Sequence, residues 1–217
     1  MNAVRPPRSP VRACVLVLPG GKVRSDDTSR WWQLANLRMV FIAGTLRRRL
    51  GRDVLVRRVQ YRRRGWNSPG LDAVRDAEEA LGQLCRRFVP QHIVLVGHSM
   101  GGRVAAHLAG RGDIGAVVAL APWWTESDGD RIPVRTRLLV LHGTADTWTD
   151  PRSSRTQTCR ARRRGVDAMW VGVEGAGHYM VRRWSEWHQR STDFVVEYLA
   201  APVGSSVGYS PGRQEGK

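Results

Sequence analysis

Six short runs of Val, Leu, Ile and Ala recur along the chain, at Ala13–Leu18, Val54–Val59, His92–Val96, Ala116–Ala121, Arg137–Leu141 and Ala168–Val173. Each is nearly continuous in its apolar character, which is the pattern of strands buried on both faces of a parallel sheet. Between the runs the period lengthens. Leu71, Val74, Ala77, Leu81, Leu84 and Phe88 follow one another at steps of three or four, so they share one helical stripe. Ser68 reads as the N-cap of that helix and Pro69 as its first residue. The segments Trp31–Leu50, Gly101–Ala109, Pro151–Arg164 and Arg183–Leu199 supply the remaining helices. This alternation predicts an α/β fold: an open, mostly parallel six-stranded sheet with helices on both faces and right-handed crossovers. A single domain is expected over residues 11–201, with a flexible N-terminal segment at 1–10 and a disordered Gly-, Ser- and Pro-rich tail at 202–217.

Composition narrows the class without changing the fold. At 217 residues, 41% hydrophobic and 25% charged, the chain suits one ordinary domain with a real core. Its apolar runs fall far short of the ~18 residues that a membrane span requires. The run Val11–Leu18 is broken by Arg12 and closes on Pro19-Gly20-Gly21, which reads as a strand entering a turn and not as a signal peptide. A cytoplasmic protein is therefore expected. Cys14, Cys85 and Cys159 are odd in number, lack metal-ligand spacing and lie in apolar or helical surroundings, which predicts buried free thiols.

Charge adds one question. Thirty-five Lys and Arg against nineteen Asp and Glu leave +16, and only Lys22 and Lys217 of the basic residues are lysine. The arginines fall in short clusters near element ends, as on a solvated basic face; a surface for nucleic acid or anionic membrane is the alternative.

In sheets of this kind ligands bind beyond the carboxyl ends of the strands, so the strand exits carry the functional information. After the third strand comes Gly97-His98-Ser99-Met100-Gly101-Gly102, and then a helix-forming stretch. A Gly-x-Ser-x-Gly turn between strand and helix holds its serine exposed above the sheet, and the small flanking residues let strand and helix approach. A serine hydroxyl needs a base, and the base needs a carboxylate to fix its tautomer. His178 stands in the Glu174–Tyr179 loop after the sixth strand, and Asp146 in the His142–Asp146 segment after the fifth. The order Ser99, Asp146, His178 is the one expected for this kind of nucleophile. His142, at a strand end, reads as a structural hydrogen-bonding residue. Asp128 and Asp130 compete as acids, while Asp150, ahead of Pro151, reads as an N-cap. The developing oxyanion would meet backbone N–H groups of Met100 and, from the first strand's exit, Gly21. Neither a metal-ligand cluster nor a cofactor fingerprint stands out, so no metal and no cofactor is expected.

These motifs, at Pro19-Gly20-Gly21, Gly97–Gly101, His142–Asp146 and Gly177-His178, resemble the α/β-hydrolase superfamily over roughly residues 11–200. Within it the chain is similar to small esterase/lipase-like and dienelactone-hydrolase-like serine hydrolases. The chain departs from the family in showing no expected strands before Ala13, so a shorter sheet is expected. The resemblance implies a catalytic Ser99, Asp146 and His178. It says less about the substrate, for which a small-molecule ester or thioester, neutral or anionic, is expected, and no specific nucleic acid. The Ala121–Pro133 connection is too short for a helical cap, so the cleft should be open. Its walls would come from Trp123, Trp124, Trp148 and Tyr179, with Trp31 or Trp32 as further candidates; Trp184 and Trp187, at helical spacing, belong to the core. Arg62-Arg63-Arg64 could clamp an anionic substrate or form a solvated basic loop. A peptidase or amidase on the same three residues, and a non-catalytic binder of nucleic acid or anionic membrane, are the competing functions.

Overall fold

Each apolar run becomes a strand close to its expected limits: β1 Ala13–Leu18, β2 Val54–Arg58, β3 Ile93–His98, β4 Ala116–Leu120, β5 Arg137–Gly143 and β6 Ala168–Val173. The computed structural model describes residues 11–125 and 127–201, and the expectations for 1–10 and 202–217 lie outside them. The strands form one sheet in the order β2-β1-β3-β4-β5-β6, every neighbouring pair parallel. Helices α1 Leu34–Leu50, α2 Asp72–Cys85, α3 Met100–Ala109, α4 Pro151–Arg163 and α5 Trp184–Ala200 connect and close it.

Because successive side chains of a strand point to opposite faces, the sheet feeds two cores. Cys14, Leu16 and Leu18 of β1 and Leu138 and Val140 of β5 pack with residues of α2, α3 and α4. Ala13, Val15, Val17, Leu139 and Leu141 face the other way, onto Met39, Ile42 and Leu46 of α1 and Trp187, Phe194 and Val195 of α5. A sheet buried on both sides explains why its strands read as continuous apolar runs.

Three expectations need correction. The second helix does not begin at Ser68-Pro69, whose peptide bond is cis; it begins at Asp72, after Leu71 in a left-handed conformation with φ 53°. Cys14 alone of the three cysteines is buried, and burial pushes its thiol up to about 12. Cys85 and Cys159 lie exposed on α2 and at the outer side of α4. Trp187 is a core residue, but Trp184 is exposed, edge-on to Phe41 and close to His188. Asp150 caps α4 as expected, accepting from the Arg152 N–H.

The order of the strands decides where a site can form. The chain moves outward from β1 to β2 and then returns to place β3 on the other side of β1, so a crevice opens beyond the carboxyl ends of β1 and β3. Gly20 and Gly21 leave β1 there and Ser99 leaves β3. The β4–β5 connection holds one turn of helix, Asp128–Arg131, and no inserted cap, so nothing folds over the crevice from that side among the described residues. No helix among them is long and apolar enough to cross a membrane.

Candidate active site

The sequence at the end of β3 forces a sharp reversal. Ser99 sits at φ 55°, ψ −117°, between the last strand residue and the first turn of α3. Such a conformation is costly for a residue with a Cβ and persists only where the surroundings impose it. Here they do: Ser99 N–H donates to Leu120 O, and Ser99 O accepts from the Gly102 and Trp123 N–H groups. The close approach of strand and helix leaves no room beside the turn. A Cβ at Gly97 would fall on the Gly101 carbonyl, and one at Gly101 would fall on the Leu18 carbonyl. Both obstacles are backbone, which cannot rotate away. Gly101→Ala is therefore expected to destabilise the fold by more than the usual 1–3 kcal/mol or so of overpacking. A urea denaturation midpoint equal to the wild type's would contradict that.

The loops after β5 and β6 bring two more side chains to the serine. The Ser99 Oγ–H donates to His178 Nε2 at 3.0 Å. On the other side of the ring, Nδ1–H donates to Asp146 Oδ2 at 2.8 Å. Since an ionised carboxylate can only accept, that bond fixes the imidazole's tautomer and leaves Nε2 as the acceptor facing the hydroxyl. Both His178 and Asp146 are buried.

Asp146 is held more firmly than one histidine would require. Its Oδ1 accepts from the Trp148 and Thr149 N–H groups at 2.8 and 3.0 Å. Its Oδ2 accepts from Thr149 Oγ1 at 2.8 Å and from His142 Nε2 at 3.2 Å. Burial works against the charge, but His142, His178 and the Thr149 N–H outweigh it and hold the carboxyl well below the usual carboxylate range. His142 is itself oriented, because Ser154 Oγ lies 2.8 Å from its Nδ1 and accepts from Trp170 Nε1 at 3.0 Å. The other acids are committed elsewhere. Asp128 serves His107, Arg103 and Thr125, and Asp130 pairs with Arg160.

Gly21 and Met100 lie side by side at the crevice; a Cβ on Gly21 would strike the Met100 thioether and the Arg64 carbonyl. The backbone N–H of neither residue is spent on a hydrogen bond among the described residues. Trp148, exposed, stacks at 21° and 6.3 Å on the His178 ring, and Tyr179 meets that ring edge-on at 5.7 Å. Among the described residues no other tryptophan ring packs against His178, although the Trp123 backbone N–H donates to Ser99 O. Trp124 is buried, with its indole N–H donated to Gly102 O, so it packs as core. Trp123 turns its ring onto Trp66 and Arg103, and Trp31 and Trp32 pack edge-on against each other ahead of α1.

His98, inside the elbow, donates from Nε2 to His178 O at 2.9 Å. Burial, aided by nearby His178, pushes it down to about 3, and burial beside Arg48 pushes His188 down to about 4. Both stay neutral in the folded protein, whereas an unfolded chain protonates its histidines below about pH 6.5. The unfolded state then binds more protons, so this stability is complete above about pH 6.5 and drains away as the pH falls toward 4 and then 3. The slope is at most about 1.4 kcal/mol per pH unit for each imidazole. Urea midpoints measured from about pH 7 to about pH 4.5 should fall steadily, and a flat profile would contradict the assignment.

Two features lie away from this point. A cavity of about 230 Å³, lined by Leu81, Cys85, Leu108 and Ile114 among others, opens beside the amino ends of β3 and β4, at the opposite rim of the sheet. Among the described residues no group of three or more His, Cys, Asp or Glu could hold a metal ion.

An all-parallel sheet with a strained serine at the exit of β3, an acid after β5 and a histidine after β6 defines the α/β-hydrolase class of fold. A model of the alpha/beta hydrolase family matches residues 15–196, and the chain belongs to that family. Thermogutta terrifontis esterase 2 phosphorylated by paraoxon has a similar structure, with TM-score 0.67, 20% identity, and 89% of this chain and 86% of that chain covered. The butyrate-bound form of that esterase gives TM-score 0.64 at 18% identity over the same shares. A substituted form of Arabidopsis thaliana SOBER1 gives TM-score 0.65 at 16% identity, covering 87% of this chain and 99% of that one. No curated protein is significantly similar in sequence.

Proposed function

We propose that the protein is a serine hydrolase that cleaves carboxylic esters or thioesters through an acyl-enzyme on Ser99. The observation that carries this reading is the continuous line from Ser99 Oγ to His178 Nε2, 3.0 Å, and from His178 Nδ1 to Asp146 Oδ2, 2.8 Å. As Oγ attacks the substrate carbonyl, His178 takes its proton and the imidazolium that forms is stabilised by Asp146. The carbonyl oxygen, now negative, is received by the Met100 and Gly21 N–H groups, at the amino end of α3. Collapse breaks the acyl–oxygen or acyl–sulfur bond, and His178 returns the proton to the leaving group. Water then repeats the sequence on the acyl-enzyme and frees the acid and Ser99. Nothing in these steps calls for a cofactor.

Trp148 and Tyr179 form the aromatic wall on the imidazole's side, in a cleft that no cap among the described residues closes. Esters of short acids are the natural first substrates to try, in keeping with the butyrate-bound neighbour. Matched butyryl esters, thioesters and amides test the reaction class. The ester and thioester should turn over with kcat/KM orders of magnitude above that of the amide. Preference for the amide would make the protein an amidase instead, and turnover of none of them would overturn the proposal.

A further inference from the structure

The basic loop after β2 is occupied by the chain's own carboxylates. Arg62 binds Asp76 through its backbone N–H at 2.7 Å and its Nε at 2.6 Å. Arg63 pairs with Asp26 at 2.8 Å and Arg64 with Asp27 at 3.5 Å. These three arginines have their counter-ions already.

Arg38 does not. It rises from α1, partly buried, and places its guanidinium carbon 4.4 Å from the centre of the Tyr179 ring. That ring in turn touches both the His178 imidazole, at 5.7 Å, and the Trp148 indole, at 5.5 Å. The cation therefore stands one aromatic ring away from the base. Among the described residues no carboxylate pairs with Arg38 and no acceptor takes its N–H groups; its one close partner is the Tyr179 ring. Burial disfavours its charge, with the Tyr179 hydroxyl offsetting part of that effect. The same fold shows what completes such an arrangement. Arg103 lies over Trp66 and Trp123 at 4.4 and 4.5 Å, and there Asp128 supplies the carboxylate, 2.9 Å away. At Arg38 the aromatic face is present and the carboxylate is not. A planar guanidinium with one face stacked keeps its N–H edge for a two-point bond to a carboxylate.

We propose that Arg38 is the anion-recognition residue of the cleft and that the substrates are esters or thioesters carrying a carboxylate, which Arg38 binds over Tyr179. This rests on the acyl-enzyme reading above. The chain's +16 charge would add steering of such substrates toward the protein.

Two charged esters, 4-nitrophenyl hemiadipate with the carboxylate on the acyl side and 4-butyryloxybenzoate with it on the leaving group, test the assignment against their own methyl esters. For at least one pair, the wild type should show a charged-to-neutral ratio of kcat/KM of about ten or more. Arg38→Met should reduce that ratio by about 10–100-fold, mainly through KM, as loss of charge-assisted hydrogen bonds does. Arg38→Lys should restore part of it, and raised salt should lower it in the wild type. A merely structural Arg38 would change both members of a pair together. The assignment is overturned by wild-type ratios near one for both pairs, or by a ratio that Arg38→Met leaves unchanged. Fluorophosphonate labelling run alongside separates the two levels. A labelled Ser99 with a ratio of one overturns the role of Arg38 alone, whereas an unlabelled protein that cleaves none of the esters overturns the acyl-enzyme as well.

Discussion

Ser99→Ala is expected to lower kcat for a short-chain ester by about 10⁶, leaving the residual rate that binding and an oxyanion site alone sustain. The structure gives the substitution little other effect. Among the described residues the Ser99 hydroxyl bonds to His178 alone, while the turn itself is fixed by backbone bonds to Leu120, Gly102 and Trp123. Alanine keeps the Cβ and hence the same backbone demand. A thermal melt within a few degrees of the wild type, beside a collapsed initial rate, is the outcome to look for. A variant that retained a tenth of wild-type turnover would place the nucleophile elsewhere.

Asp146→Asn is the second large effect, about 10⁴ in kcat. Both oxygens of Asp146 meet only donors: the Trp148 and Thr149 N–H groups at one, and His178, His142 and the Thr149 hydroxyl at the other. An amide has one oxygen and one NH₂, so either orientation sets N–H against N–H. If the NH₂ faces His178, the ring is driven to carry its proton on Nε2, where it cannot accept from Ser99. If the NH₂ faces the backbone donors, two partly buried N–H groups lose their acceptor, which costs up to about 1–3 kcal/mol for each group. In either orientation the neutral amide no longer stabilises the imidazolium, so kcat falls in both, and paired urea measurements show whether stability falls as well. Wild-type kcat in this variant would remove Asp146 from the account.

The strands were legible because a sheet covered on both faces needs apolar side chains in both directions, and β1 and β4 display this without interruption. The elbow was legible for a related reason. Gly97 and Gly101 stand where any side chain would meet backbone, so the turn is written in residue types at fixed spacing. The preference for Asp146 over Asp150 came from local chemistry, since a carboxylate before proline caps a helix, and Asp150 does so. What the sequence hid depends on tertiary approach. Arg38 is one of many arginines, and its distinction lies in reaching Tyr179, a residue some 140 positions away. Arg62, Arg63 and Arg64 read as either a clamp or a solvated loop, because the partners Asp76, Asp26 and Asp27 come from separate segments. Trp123 and Trp124 follow a strand exit as a ligand-lining pair would, yet Trp124 meets Gly102 O and Trp123 meets Arg103, contacts that periodicity does not reveal. The start of α2 was misplaced because Leu71 adopts a conformation that leucine rarely takes, and no residue type announced it.

The most direct measurement is the site of covalent labelling by a fluorophosphonate. Trypsin should release residues 88–103 as one peptide, in which Ser99 is the single hydroxyl-bearing side chain. A stoichiometric phosphonyl adduct on that peptide, absent from Ser99→Ala, is the predicted result. A folded protein that takes up no probe, or carries it on a different peptide, would contradict the claim that Ser99 and His178 form a working nucleophile and base.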